Sequence, residues 1–300
     1  MPVSQTTSQL KIAVNDALAA RGVLLSTGSV FFVSSVTGSS SNTGLTIGKP
    51  KATIAQAVAL CAAAKNDVIV VLPGHAEAYA GAAALTVDKS GVTILGIGNG
   101  RNRPTLTWGT ATTAQVLVTA ANVQFSNMVF DFTGFDAIVA AIAVDAADVW
   151  FEGCEFLTNS GTIGVVSGIT VGGTTTSPRF KVTNSRFVGP ATNSGTTTTA
   201  QVTITDAPDF VFENNYCTGK MTQSINNGAA NLRGLIRNNA FVVATGTKAI
   251  NMHASSTPFI TNNRINVPSG TAPIVAAAGF VAGNVYSAAA GVTAGTASTI

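Results

Sequence analysis

The stretch DFVFENNYC, residues 209–217, recurs in variant form between residues 122 and 286. In each copy an apolar residue stands two positions before a central Asn or Gly, and another stands three positions after it. Successive centres lie 21 to 31 residues apart, a spacing typical of stacked repeats that bury their apolar faces against one another. The seven centres are Asn127, Gly153, Asn184, Asn214, Asn238, Asn262 and Gly283.

Short β-branched runs precede these copies, for example at residues 138–144 and 202–205. No helical periodicity separates the runs from the copies, so each repeat contains several brief strands. This pattern favours a β-helix over a leucine-rich repeat or a propeller.

The residue after the centre is asparagine in the last four copies. Asparagines stacked at one bend tolerate the left-handed conformation and form hydrogen bonds along the stack. Here the chain resembles the right-handed parallel β-helix proteins, the pectate-lyase-like and phage-tailspike-like superfamily, in which such Asn ladders are familiar. We therefore predict an all-β protein, a right-handed parallel β-helix solenoid of about nine coils. The predicted Asn ladder consists of Asn215, Asn239, Asn263 and Asn284.

Three parts of the chain are predicted. Residues 1–45 form an N-terminal arm that ends in the small polar linker TGSSSNTG, and residues 5–21 of the arm have the spacing of a weak amphipathic helix. Residues 46–286 form the β-helix, whose open end is covered by a capping helix over 53–64 that starts with a capping box. Residues 287–300 form an uncharged tail.

Residues 33–108 carry a narrower resemblance. The segment PGHAE at 73–77, followed by GIGNGRNRPTLTW at 96–108, is similar to β-helix virion proteins of tailed phages. The resemblance implies a structural virion protein, and the short chain favours a capsid decoration (cement) protein that binds the major capsid protein or another virion protein through its arm. The alternative is a tailspike-like protein that binds or cleaves host polysaccharide. Either would be assembled in the host bacterial cytoplasm, with the decoration protein ending on the capsid surface.

The composition of the chain bears on which classes of partner are expected. Charged residues make up only 10% of the chain and the net charge is +3, without a Lys or Arg cluster, so we expect no nucleic-acid partner. The nearest basic pair, Arg101 and Arg103, is interpreted as a solvated turn. No apolar run reaches the roughly 18 residues that span a bilayer, and no signal peptide is evident, so we expect no membrane partner. The three cysteines, Cys61, Cys154 and Cys217, are interpreted as core residues.

Acidic residues align with arginines in neighbouring repeats. An adjacent arginine lowers a carboxyl pKa, which is unsuited to a general acid. From this pairing, and from the lack of a cluster of metal ligands in the sequence, we predict no enzymatic activity, no metal and no cofactor. The predicted pairs are Asp148 with Arg179, Asp209 with Arg179 or Arg233, Glu213 with Arg237, and Glu155 with Arg186.

The competing hypothesis is a glycosidase or polysaccharide lyase. Asp148 and Asp209 lie two repeats apart, roughly 9.6 Å along a parallel sheet, near the upper limit for an inverting glycosidase. Weaker candidates are His75 with Glu77, and the isolated His253, which we interpret as satisfied or solvated side chains. Trp108 and Trp150 are candidate platforms for stacking on sugars, although Trp150 would equally suit a contact surface.

One outward column predicts an interface. Strand alternation places the residue three positions before each centre outside, and in the last four repeats this residue is apolar. Long exposed apolar stripes usually mark interfaces, so we predict a parallel homotrimer with this stripe at its axis. The alternative is that the tail or a loop of the same chain folds over the stripe. The apolar stripe consists of Val211, Leu235, Phe259 and Phe280.

Overall fold

The computed structural model describes residues 28–158, 162–189, 198–229, 233–243, 248–267, 273–276 and 278–288. The strands in these ranges form three parallel sheets, and each strand pairs with the strand three places further along the chain from β2 onward. The chain therefore winds as a parallel β-helix, which confirms the predicted fold class. Eight coils contain three strands each, one strand precedes them and two follow them.

The three sheets are named in the order in which each coil passes through them. The first sheet contains β1 (Val30–Val33), β2 (Val68–Val71), β5 (Thr93–Gly96), β8 (Gln124–Ser126), β11 (Trp150–Glu152), β14 (Lys181–Thr183), β17 (Phe210–Glu213), β20 (Gly234–Arg237), β23 (Phe259–Thr261) and β26 (Phe280–Ala282). The second sheet contains β3 (Ala76–Tyr79), β6 (Thr105–Trp108), β9 (Val129–Asp131), β12 (Glu155–Leu157), β15 (Arg186–Val188), β18 (Tyr216–Gly219), β21 (Ala240–Val243), β24 (Arg264–Val267) and β27 (Val285–Ala288). The third sheet contains β4 (Leu85–Val87), β7 (Val116–Val118), β10 (Ile142–Val144), β13 (Ser167–Val171), β16 (Thr198–Ile204), β19 (Met221–Asn227), β22 (Ile250–Asn251) and β25 (Ile274–Val275).

The core runs along the axis inside the three sheets. Alternate residues of each short strand point inward, and identical positions of successive coils stack on one another. Phe125 stacks on Phe151 with ring centroids 5.0 Å apart, and Phe130 stacks on Phe156 at 5.1 Å. These four rings are fully buried, so the repeated apolar positions of the first and second sheets form two columns of side chains along the axis.

At the bend between the first and second sheets, the centre of each copy and the residue after it have different roles. All seven centres adopt positive φ, for example 57° at Asn214 and 60° at Gly153, a region that Asn and Gly tolerate. The Asn ladder residues that follow the centres do not use the left-handed conformation that asparagine tolerates, because none of Asn215, Asn239 or Asn263 has positive φ.

The Asn ladder residues instead turn inward and bond along the axis. The side-chain oxygen of Asn239 accepts the backbone N–H of Asn215 at 2.8 Å, and its amide nitrogen donates to the Phe212 carbonyl at 2.9 Å. The same arrangement joins Asn263 to Asn239 and Asn284 to Asn263. The four asparagines are thus linked by hydrogen bonds along the axis, and these bonds satisfy backbone groups that the bend would otherwise leave buried without partners.

The N-terminal boundary differs from the prediction. Strand β1 pairs with β2, so the β-helix begins at residue 30 and not at residue 46. The predicted flexible linker is a folded loop, because Gly44 O accepts the Phe32 amide at 2.7 Å and Lys51 N donates to Phe32 O at 2.8 Å. The loop thereby pairs with the outer edge of β1, which would otherwise be an open sheet edge. Residues 1–27 and 289–300 lie outside the described residues, so the predicted helix over 5–21 and most of the tail stay predictions.

The capping helix is confirmed but shorter. Helix α1 spans Ile54–Val58, and the Thr53 hydroxyl accepts the Gln56 amide at 3.2 Å. Its buried face packs against β1, β2 and β4, and so covers the end of the core where the third sheet begins. After Val58 the amides of Leu60 and Cys61 donate to carbonyls only three residues back, at 3.0 Å each, and the Ala62 amide donates to the Asp67 carboxylate at 2.8 Å, so the α-helical pattern does not continue. No helix among the described residues is long and apolar enough to cross a membrane.

Candidate functional site

The apolar stripe lies on the outer face of the first sheet, at its C-terminal end. Strand pairing aligns its four members in one column. Phe259 is 57% exposed and Phe280 39% exposed, with ring centroids 6.0 Å apart, while Val211 and Leu235 are partly exposed. The predicted outward orientation is thus present, and the role of the stripe as an interface stays a prediction.

A shallow groove of about 590 Å³ follows the stripe. Its rim includes Thr257 and the ion pair between Asp209 and Arg233, whose atoms are 2.9 Å apart. Gly234 leaves room in the wall for the buried Phe210 ring, since a Cβ at residue 234 would lie 2.1 Å from that ring. An apolar floor with a charged rim has the anatomy of a protein interface.

Three predicted acid–arginine pairs are confirmed. Each joins neighbouring coils on the outside of the β-helix, where exposed pairs contribute little to stability. The contacts are Arg179 Nε to Asp148 Oδ1 at 2.6 Å, Arg233 Nη2 to Asp209 Oδ2 at 2.9 Å and Arg237 Nε to Glu213 Oε1 at 2.6 Å.

The fourth acid has a nearer partner than the one predicted. Glu155 lies 4.0 Å from Arg186 but accepts a hydrogen bond from Arg103 at 3.0 Å. Arg103 also donates to the carbonyls of Met128 and Gly153. The interpretation of Arg103 as part of a solvated turn is therefore wrong, because its guanidinium ties three successive coils together.

The backbone conformation explains why Asp stands at positions 148 and 209. Both adopt positive φ, 58° and 60°, at the bend before a first-sheet strand, and Asp is one of the few residues that tolerate this conformation. The hydrogen bond from Arg179 lowers the pKa of Asp148. Each carboxylate is bonded to its own arginine, so neither is arranged as a proton donor to a glycosidic oxygen.

His75 and Glu77 form a buried structural link. His75 Nε2 lies 3.1 Å from Glu77 Oε2, and His75 Nδ1 accepts the Ser35 amide at 2.9 Å. Glu77 also accepts the first amide of α1, from Ile54, at 3.1 Å. The pair therefore joins the loop after β1 to the capping helix. Among the described residues, no three His, Cys, Asp or Glu side chains are grouped so as to hold a metal ion.

The remaining candidates are not brought together. The imidazole of His253 accepts the Ser255 amide through Nδ1, at 3.2 Å, within its own turn. Trp108 is fully buried and packs edge-to-face on Phe132 at 4.8 Å, so its interpretation as a sugar platform is wrong. Trp150 points outward, is half-buried and donates to the Thr183 hydroxyl at 2.7 Å.

A second groove, which sequence reasoning missed, lies on the outer face of the third sheet. It has a volume of about 600 Å³ and a mixed lining, in which polar side chains lie beside Leu117, Ala140 and Ala143. The loop after β13 forms one wall, where the Asp145 carboxylate accepts the Thr174 amide at 2.8 Å. The signal was weak in the sequence, because threonines in strands are common wherever a sheet faces solvent. Its lining includes Gln115, Thr119, Asp145, Thr170, Thr174 and Thr175.

No family model and no curated protein matches the sequence. Among solved structures, the chain is similar to a rhamnogalacturonan lyase at 14% identity, covering 86% of this chain and 87% of that chain with a TM-score of 0.47. It is also similar to the GH136 lacto-N-biosidase from Eubacterium ramulus. For that enzyme's selenomethionine derivative the identity is 10%, the coverage is 93% of this chain and 70% of that chain, and the TM-score is 0.39.

Proposed function

We propose that this protein is a non-enzymatic structural subunit that assembles as a parallel homotrimer through the apolar stripe, and that the trimer is a tailed-phage virion component, a capsid decoration protein. The observation that carries the proposal is the pair of phenylalanines, Phe259 and Phe280, exposed on adjacent strands of the first sheet. Exposed apolar columns of this kind usually mark an interface.

The direction of the stripe favours a parallel arrangement. The stripe crosses β17, β20, β23 and β26 at one register position, so it runs along the length of the β-helix. A rotation axis parallel to that length brings the same four side chains of every copy together at the same height. The choice of threefold symmetry, and the assignment to a virion, rest on the resemblance of residues 33–108.

The proposed attachment to the capsid involves the N-terminus. Because residues 30–51 are built into the β-helix, the part of the predicted arm left for contact with the major capsid protein or another virion protein is residues 1–27. Immunogold labelling of purified virions would place the protein on the capsid or on the tail.

The trimer is tested by sedimentation equilibrium. Wild type is expected at about 91 kDa, three times the chain mass of 30.2 kDa, and Leu235→Lys/Phe259→Lys is expected to be monomeric, because truncating a central interface side chain alone costs about 2 kcal/mol or more. The matched control is Thr93→Lys/Gln124→Lys, in the same outward column but outside the stripe, which should stay trimeric. A monomeric wild type, or a trimeric stripe variant, would refute the proposed interface.

The proposal also predicts no glycan cleavage. Incubation with host capsule or lipopolysaccharide should release no oligosaccharide, because the carboxylates Asp148 and Asp209 are held by arginines and the lowered pKa of Asp148 disfavours proton donation by that residue. Chromatography of the products is the measurement. Cleavage that is lost in Asp148→Asn or Asp209→Asn would replace the decoration protein with a polysaccharide-cleaving spike.

A tailspike-like polysaccharide-binding protein is the second candidate. The groove on the third sheet supports it, because its lining combines Thr, Gln and Asp side chains, which are suited to hydrogen bonds with sugar hydroxyls, with apolar side chains. Retention of the protein on immobilised host polysaccharide without cleavage, abolished by Thr170→Arg, would favour this candidate.

A further inference from the structure

A second apolar patch lies on the outer face of the first sheet, at its N-terminal end. Phe31, Val33 and Ile69 belong to the central core, so the alternate residues of the same strands point outward. Strand pairing aligns them into two short columns across β1, β2 and β5. We call these residues the outer cluster: Val30, Phe32, Val68, Val70 and Leu95.

The outer cluster is buried although it lies outside the β-helix. Its members are 2–8% exposed, whereas Phe259 and Phe280, on the same face, are 57% and 39% exposed. The other described hydrophobic side chain that packs on the cluster is the partly buried Leu72. Side chains on one sheet face cannot bury one another to this degree, so another segment must lie across them.

We infer that residues 5–21 of the same chain lie on the outer cluster. The chain reaches the sheet beside it: the Ser29 amide donates to the buried Asp67 carboxylate at 2.6 Å, directly before β1. A Cβ at Gly28 would lie 2.4 Å from the Lys65 carbonyl, so the backbone enters through a tight and fixed passage. The described chain therefore begins next to the cluster, and 27 residues precede Gly28 in the sequence.

The sequence of this segment fits the surface. Leu10, Val14 and Leu18 are spaced to share one face of a helix. A helix over residues 5–21 would be about 25 Å long, while three parallel strands span roughly 10 Å, so its apolar face is long enough to cross the cluster. Residues 22–27 extend up to about 20 Å, which is enough to reverse the chain onto the sheet.

The inference does not depend on the proposed function, since it uses neither the apolar stripe nor the resemblance to virion proteins. It implies that the N-terminal arm has a fixed position on the protein. A segment seated on the first sheet offers its polar side chains from a fixed position, whereas an untethered arm would sample many positions.

Thiol labelling of the full chain tests the inference. Leu95→Cys introduces a thiol into the outer cluster, and the native thiols give little background because burial raises the pKa of Cys61 and of Cys154 to about 12. We expect Leu95→Cys to react at least about tenfold more slowly than Lys181→Cys, an exposed position on the same face. Adding Val14→Asp/Leu18→Asp should abolish that protection, while Gln9→Asp/Ala20→Asp, on the opposite helical face, should preserve it.

Two outcomes would overturn the inference. Protection of Leu95→Cys that survives Val14→Asp/Leu18→Asp would mean that another segment covers the cluster. Protection that disappears on dilution of the otherwise unchanged chain would mean that a second copy covers it. Circular dichroism of each variant would establish that the β-helix is folded during labelling.

Discussion

Replacing Phe156 with alanine is expected to lower the free energy of unfolding by about 3–5 kcal/mol. The ring is fully buried and stacked between Phe130 and Phe187, with centroid distances of 5.1 and 4.5 Å. Each neighbouring ring is carried by its own strand in the second sheet. The strands are locked in register by backbone hydrogen bonds, so the cavity cannot collapse and its full cost is retained.

Urea denaturation followed by circular dichroism is the measurement for Phe156→Ala. Phe156→Leu should cost far less because most of the volume is kept. Tyr216→Ala is the exposed control: the ring is 39% exposed and contacts Arg186 at 5.8 Å, which predicts a loss of about 1 kcal/mol or less. A loss below about 1 kcal/mol for Phe156→Ala would show that the stacked rings rearrange freely.

Asn239→Ala is expected to destabilise the protein by about 2–6 kcal/mol. The substitution removes the acceptor of the Asn215 amide and the donor to the Phe212 carbonyl, and both backbone groups are left without these partners in a buried bend. Each unsatisfied buried group costs about 1–3 kcal/mol. The same denaturation experiment measures the effect.

The adjacent residue supplies the matched control for Asn239. Asn238 is exposed and has a φ of 58°, so Asn238→Gly retains the required backbone conformation and should change stability by less than about 1 kcal/mol. Equal effects of the two substitutions would mean that the bend, and not the inward amide, is the stabilising feature.

Sequence periodicity predicts the coil and its alignment well. The positions two before and three after each centre form the inward columns. Strand alternation, with the same register in every coil, leaves no other arrangement that buries all of these side chains. The same alternation correctly puts Val211 and Phe259 outside. These features repeat, so each copy of the pattern adds evidence for the others.

Features that occur once are missed by such reasoning. The pairing of β1 with β2 joins residues 38 positions apart across a folded loop, and no periodic signal marks it. Arg103 and Glu155 are 52 residues apart in the sequence. They come into contact only because the chain winds through two coils between them. Trp108 lies in β6, upstream of the seven copies, where no centre fixes which residues point inward.

The direction of the Asn ladder has a consequence for biosynthesis. The amide of Asn215 is accepted by Asn239, and the amide of Asn239 by Asn263, so each coil is completed by a side chain that leaves the ribosome later. In a nascent chain, the backbone N–H at the bend of the last folded coil therefore has no side-chain acceptor until the next coil is made. Growth of the solenoid is expected to follow the direction of translation, with each new coil templated on the one before it.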